Sequence, residues 1–231
     1  MPRLQGVAAC VFDAYGTLLD VNAAVRAEAA VLGTRAEELS ALWRRKQLEY
    51  SWLRSLMRRH TDFGQVTAEA LDVSLETLGL GDDALRGRLL AAYRTLAPYP
   101  EVPDVLAKLK RHGMPTAILS NGSPAMLADA VAAAGIADFL DHVLSVEAVG
   151  MFKPAPEVYR LATQRLGLAA REIAFLSSNG WDVHGAASFG FRTLWVNRGG
   201  VPDEHLPGAA AGVLPTLAEL PILLGLAGEL G

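Results

Sequence analysis

Five short apolar runs, "VAACVF", "TAILS", "HVLSV", "IAFLS" and "TLWVN", recur along the chain with helix-like stretches between them. This alternation constrains the fold more than any other feature. Runs that are apolar at nearly every position bury both faces, which suits a parallel sheet covered by helices and not a sheet with one wet face. Helix-like stretches at 123–134, 156–167 and 181–189 supply the cover. Residues 21–97 break the rhythm: they hold no good strand candidate and four helix-like segments, around 21–32, 37–59, 67–79 and 82–95. "APYPEVPDVL", with Pro98, Pro100 and Pro103, then restores the alternating pattern. The expectation is an α/β, Rossmann-like doubly wound parallel sheet. Its core domain is 1–20 plus 98–231, and 21–97 form a helical cap domain inserted after the first strand.

Composition narrows the function. The 231 residues are 51% hydrophobic with a net charge of -4, enough to bury a full core. An acidic chain is a poor grip for nucleic acid, which asks for clustered positive charge. Cys10, the one cysteine, sits inside an apolar run and reads as a small buried hydrophobe in a reducing compartment. The N-terminal stretch lacks the apolar segment and cleavage site of a signal peptide. The most apolar tract, 206–230, is interrupted by Pro207, Pro215, Glu219 and Pro221, whereas a membrane span needs about twenty apolar residues in a row. A soluble, cytoplasmic protein is expected.

The second cap helix, "ELSALWRRKQLEYSWLRSLMRR", carries an apolar stripe of Leu39, Leu42, Trp43, Tyr50, Leu53 and Met57. On the far side Arg44, Leu48 and Trp52 fall within about 80° of each other at 100° per residue. Periodicity alone makes this second patch a solvated basic run beside a dimer surface.

Polar clusters stand where ligands collect in doubly wound sheets, at the carboxyl ends of strands. They are Asp13 to Thr17; Ser120-Asn121, followed by a Ser123-Pro124 helix start; Lys153 in "GMFKPAPEVY", before a helix that Pro154 or Pro156 starts; and Ser177, Ser178, Asn179 and Asp182 in "FLSSNGWD". Singly, each has an ordinary reading as a helix cap, turn residue or surface lysine. Jointly they bring an acid, a lysine, hydroxyls and amides to one edge of one sheet. A carboxylate beside an ammonium stays ionised, and on a rigid strand end it is a nucleophile. Backbone amides after Asp13 and Ser120 make a cradle for a small anion. The residues therefore point to attack by Asp13 on a small anionic substrate through an ester-like intermediate. The five histidines show no metal spacing. His184, two residues after Asp182, has no partner at helical spacing and reads as a surface or supporting histidine.

Asp13-x-x-Gly16-Thr17, Ser120-Asn121, Lys153-Pro154 and the final acidic loop, in this order around a cap, resemble the haloacid dehalogenase superfamily. Most members with this pattern are magnesium-dependent phosphatases with a second acid two residues after the first and further acids in the last motif. Here those positions hold Tyr15, Ser178 and Asn179. Magnesium wants several hard oxygen ligands, commonly two carboxylates. With Asp13 and Asp182 alone remaining, no metal or other cofactor is expected. A halide leaves without a proton, so an acid at 15 is superfluous and an aromatic can wall a dry pocket.

"FDAYGTLLD", "LSNGSP", "FKPAPEVY", "SSNGWD" and the cap stretch "LWRRKQLEYSWLR" are similar to the L-2-haloacid dehalogenase branch. The resemblance implies that Asp13 attacks C2 of an (S)-2-haloalkanoate, and that water then cleaves the ester to give an (R)-2-hydroxy acid. It implies that Thr17 and Lys153 orient Asp13, and that Ser120 with the amides near Ala14 and Tyr15 holds the substrate carboxylate. Arg44, Asn121 and Trp181 receive the halide. By the same resemblance Asp182 is the base or base-positioning group, with Ser177, Asn179 and Tyr159 in its network, and Tyr15, Leu48, Phe63 and Trp181 form the alkyl pocket. The implied partners are a small anionic 2-halo acid, the halide product and a second copy in a homodimer, with no nucleic acid and no membrane. A magnesium-dependent phosphatase, a hydrolase of fluoroacetate or of a strained cyclic amino acid, and a silent acid-binding protein remain open at this point.

Overall fold

The computed structural model describes residues 3–226; the ends of the expected core domain, 1–2 and 227–231, lie outside the described residues. Six strands form one all-parallel sheet: β1 (Ala9–Phe12), β2 (Thr116–Ser120), β3 (His142–Ser145), β4 (Ile173–Ser177), β5 (Arg192–Val196) and β6 (Gly212–Leu214). Their order is β3-β2-β1-β4-β5-β6. The sheet runs one way from β1 through β2 to β3 and the other way from β4 to β6, so the order reverses between β1 and β4. The crevice that such a reversal opens at the strand ends is the expected ligand position. Asp13 follows β1 there, and its amide donates to the Leu176 carbonyl of β4 at 2.9 Å.

Strands β1, β2 and β4 are buried at every position, as runs apolar on both faces require. β3, at the edge, is only partly buried. β6 was not among the expected strands; it is a three-residue edge pairing with β5, too short for a sequence signal. Cys10 is fully buried, and that burial pushes its thiol up to about 12, which makes it inert.

Between β1 and β2 the chain builds helices: α1 (Ala23–Ala27), α2 (Ala29–Leu32), α3 (Ala36–Met57), α4 (Phe63–Leu78), α5 (Asp83–Arg94) and α6 (Val102–Arg111). The first expected segment is thus two short helices. α4 starts four residues earlier than expected because the Asp62 carboxylate accepts from the amides of Gly64 and Gln65, a side-chain cap on otherwise unpaired donors. The stripe read on α3 needs correction. Leu53 and Met57 are exposed, whereas Gln47 and Ser51 are buried, each with a hydrogen-bond partner, Thr67 Oγ1 and the Leu48 carbonyl. α7 (Pro124–Ala133), α8 (Pro156–Leu166), α9 (Gly180–Phe189) and a short α10 (Leu220–Leu223) complete the cover; α8 begins at Pro156, not Pro154.

The segments that lead into and out of α1–α5 run side by side. The Asp20 amide donates to the Ala97 carbonyl at 3.0 Å and the Tyr99 amide to the Leu18 carbonyl at 2.9 Å.

Candidate active site

The loop after β1 turns sharply because Gly16 adopts φ +93°, a left-handed conformation that side chains resist; a Cβ there would also meet Ser178 Oγ at 3.2 Å. The turn sends Thr17 back over Asp13, so that Thr17 Oγ1 donates to Asp13 Oδ2 at 3.0 Å. The same hydroxyl accepts the Ser178 amide at 2.8 Å, joining the β1 and β4 loops. Asn179 Nδ2 also donates to Asp13 Oδ2, at 3.0 Å. The Lys153 ammonium approaches the other oxygen, Oδ1, at 3.1 Å. Asp13 is only 6% exposed, yet both its oxygens are satisfied.

Lys153 is itself 1% exposed and donates at 2.9 Å to Asp182 Oδ2. Tyr159, on α8, donates to Asp182 Oδ1 at 2.8 Å. Burial alone would lower the Lys153 pKa, but the two carboxylates outweigh it and hold it above the ordinary lysine value. Burial raises the Asp182 carboxyl above the carboxylate range, with Lys153 opposing and Asp13 adding to the rise. One ammonium between two enclosed carboxylates is the electrostatic centre of the site.

From α3, Arg44 Nη2 donates to Asn179 Oδ1 at 3.2 Å, so a residue from the helices between β1 and β2 meets the amide that holds Asp13. Asn121 Oδ1 accepts the Lys153 amide at 3.0 Å, while the hydroxyls of Ser120 and Ser177 accept from Gly122 and Asn179 amides within their own loops. Among the described residues, the amides of Ala14, Tyr15 and Asn121 have no hydrogen-bond partner. Tyr15 is 2% exposed with an unpartnered hydroxyl. Its ring lies 6.3 Å from that of Phe63. Gly122 lets it approach: a Cβ there would stand 2.8 Å from Tyr15 Cε2. The Trp181 indole packs edge-on against Trp52 at 5.5 Å, and both N–H groups are buried without partners. Leu48 is half-buried one turn beyond Arg44, outside the network around Asp13.

Ser178, read with the last polar cluster, joins the site through the Thr17 hydroxyl; sequence reading missed Tyr93 and Gln47, which no spacing signals. His184 is not at the surface: it is 4% exposed, with Nδ1 2.7 Å from the Gly208 carbonyl and Nε2 3.1 Å from Asp203 Oδ1.

The donor set does not fit a divalent cation. Both oxygens of Asp13 and of Asp182 are engaged by Lys153, Thr17, Asn179 and Tyr159. No group of three His, Cys, Asp or Glu side chains able to hold a metal occurs among the described residues. Chemically, the arrangement offers a rigid carboxylate held by three donors, with free amides beside it and an aromatic wall around it.

No helix among the described residues is long and apolar enough to cross a membrane. A family model described as haloacid dehalogenase-like hydrolase matches residues 7–190. (S)-2-haloacid dehalogenase 1 of Pseudomonas sp. (strain CBS-3) is 49% identical, over 96% of this chain and 98% of its own. (S)-2-haloacid dehalogenase of Pseudomonas sp. (strain YL) is 52% identical over 89% of this chain and 88% of its own. The solved structure of L-2-haloacid dehalogenase from Xanthobacter autotrophicus with chloropropionic acid covalently bound aligns with a TM-score of 0.87 at 41% identity, covering 96% of this chain and 100% of that one.

Proposed function

The chain belongs to the haloacid dehalogenase-like hydrolases, and from that premise we propose that it hydrolyses (S)-2-haloalkanoic acids to (R)-2-hydroxy acids and halide through an ester on Asp13. The carrying observation is the uneven dressing of the Asp13 carboxylate: Oδ1 has Lys153 alone, whereas Oδ2 has both Thr17 and Asn179. Oδ1 keeps a lone pair for attack. It forms the bond to C2 as the carbon–halogen bond breaks, and the halide leaves with that electron pair. Oδ2 then becomes the ester carbonyl oxygen. When water adds to the ester carbon, the negative charge develops on Oδ2 between two donors already in position, each worth about 2.7–4 kcal/mol in such a role. Near-attack placement of nucleophile and C2 supplies about 7–11 kcal/mol more.

Arg44, Asn121 and Trp181 receive the halide, and Ser120 with the amides near Ala14 and Tyr15 holds the substrate carboxylate. Tyr15, Leu48, Phe63 and Trp181 wall the alkyl group. Asp182, held by Lys153 and Tyr159 and supported by the Ser177–Asn179 turn, takes the proton of the attacking water; its raised pKa suits a base. No step uses a metal. Residues 21–97 act as a cap domain over a core of 1–20 and 98–231, which the Arg44–Asn179 contact supports. A cytoplasmic homodimer fits the exposed Leu53, Leu56 and Met57 on α3.

Single-turnover hydrolysis of (S)-2-chloropropionate in heavy-oxygen water tests the reading. Label enters Asp13 first and lactate only in a later cycle, chelator changes nothing, and Asp13→Ala abolishes halide release. Label appearing directly in lactate, or turnover lost to chelator, would overturn it.

A further inference from the structure

Arg198 lies just past the end of β5 and has no part in the chemistry above, yet it is tied to the loop that carries Asp13. In the turn after β1 the amides of Thr17, Leu18 and Leu19 all converge on the Ala14 carbonyl. Among the described residues this leaves the Thr17 carbonyl without a backbone donor, and Arg198 Nη2 donates to it at 3.0 Å. The guanidinium is itself fixed. It lies over the Tyr99 ring, 3.7 Å from the centroid, and Nη1 stands 2.7 Å from Glu101 Oε1. Glu101 Oε1 also accepts the Leu217 amide at 3.3 Å. A planar fork of donors lets one side chain hold a carboxylate, a ring and a carbonyl together. Thr17 is thus gripped from both ends, its carbonyl by Arg198 and its hydroxyl by Asp13 and the Ser178 amide. The hydroxyl has one proton and two acceptors in reach, Asp13 Oδ2 at 3.0 Å and Ser178 Oγ at 3.2 Å. Threonine is β-branched and stiff at χ1, so the placement of its backbone decides which acceptor the proton meets.

We propose that Arg198 is a positioning residue that, by holding the Thr17 carbonyl, keeps the Thr17 hydroxyl aimed at Asp13 Oδ2 and away from Ser178. This rests on the reading of Asp13 as nucleophile and of Oδ2 as the ester carbonyl oxygen. Negative charge develops on Oδ2 when water adds to the ester, and a donor counts there only as far as it is aligned in advance. A hydroxyl that swings to Ser178 is lost to that step. Attack on C2 uses Oδ1, which Lys153 holds, so ester formation does not draw on Arg198.

Arg198→Met removes the donor and keeps an unbranched chain beside Tyr99. A single turnover of (S)-2-chloropropionate is quenched at intervals, and mass spectrometry follows the ester on Asp13 as it forms and decays. The expected result is decay slowed about tenfold, less than the roughly 10²–10³-fold cost of deleting such a donor, with ester formation changed less than about twofold. In a Thr17→Val background, where no hydroxyl is left to aim, Arg198→Met has no further effect on decay. Equal slowing with and without the Thr17 hydroxyl, equal slowing of formation and decay, or no slowing would overturn the proposal. Thr17→Val alone separates the two levels. If it slows decay and Arg198→Met does not, only the role of Arg198 fails; if it leaves decay unchanged, the reading of Oδ2 fails. If no ester forms on Asp13 in the native protein, the reading of the nucleophile fails. Should the methionine form not fold, Arg198→Lys keeps the charge opposite Glu101, but a point donor cannot serve Glu101 and Thr17 together, and the same dependence on Thr17 is expected at smaller size.

Discussion

Replacing Lys153 with methionine removes the one charge that Asp13 and Asp182 share while keeping an unbranched side chain. In the native protein the ammonium is 3.1 Å from Asp13 and 2.9 Å from Asp182, and all three side chains are buried. Removing one member of a buried ionic group leaves uncompensated charge and costs about 3–5 kcal/mol. Two like charges at about 5 Å repel by about 3 kcal/mol at an effective dielectric of about 20, which gives the same scale. Against a typical total stability of about 5–15 kcal/mol, the variant folds but is weakened. The decisive signature is pH. Burial already raises the Asp182 carboxyl and Lys153 pulls it down, so without the lysine it rises further. The folded variant then holds a proton that the unfolded chain, titrating at about 3.9, has released. A raised folded-state pKa gives stability that is complete below the unfolded value and is lost as pH climbs through the folded one. The deficit against wild type therefore starts to grow above the wild-type Asp182 value, itself raised by burial, and widens by up to about 1.4 kcal/mol per pH unit until the variant's still higher value is passed. Urea unfolding followed by tryptophan fluorescence between pH 4 and 8 measures this. A deficit that is flat with pH, or shrinks as pH rises, would refute the reasoning.

Gly185→Ala places a Cβ 2.6 Å from both Pro154 Cβ and Tyr159 Oη; the overpacking costs about 1–3 kcal/mol and moves Tyr159 off Asp182, so calorimetry shows a lower Tm and the halide assay a lower kcat. His184→Gln acts on stability through pH. Both ring nitrogens of His184 face acceptors, and although burial would lower its pKa, Asp203 and Gly208 hold it above the usual value. Its contribution is complete below the ordinary histidine range and lost as pH rises through the raised value, so the Tm difference from wild type is larger at pH 5.5 than at pH 9.

The sheet was legible because burial on both faces keeps the interiors of β1, β2 and β4 apolar, and so the strand ends announced themselves through Asp13, Ser120 and Ser177. Asp13, Thr17, Lys153, Asn179 and Asp182 could be grouped because sheet topology brings strand ends together whatever their separation in sequence. β6 escaped notice because three residues carry no periodicity. The faces of α3 were partly misread for another reason: a helical wheel equates polar with exposed, but Gln47 and Ser51 are buried with their hydrogen bonds made inside the cap. Tyr93 was invisible because its contacts are with Gln47, 46 residues away, and with the ring of Tyr15, pairings that no spacing rule encodes.

Charge balance explains why an aromatic stands at position 15. The site holds two carboxylates, Asp13 and Asp182, and two cations, Lys153 and Arg44, so it is balanced before a ligand enters. In the proposed reaction a substrate carboxylate adds one negative charge, to be met by the unpartnered amides of Ala14, Tyr15 and Asn121. In the proposed first step the charge on Asp13 is neither created nor destroyed: the carboxylate becomes a neutral ester and the halide carries the charge to Arg44. No proton moves, so no acid is needed at the leaving group. An acid at position 15 would bring a third carboxylate into a place 2% exposed, stacked on Tyr93 and already under the field of Asp13. Unpaired, it would be desolvated at a cost of several kcal/mol or would sit there protonated and idle. A dianionic substrate would raise the same difficulty from the other side, with two charges set against cations already balanced. Tyr15 avoids both by filling the space with an uncharged ring, stacked on Tyr93.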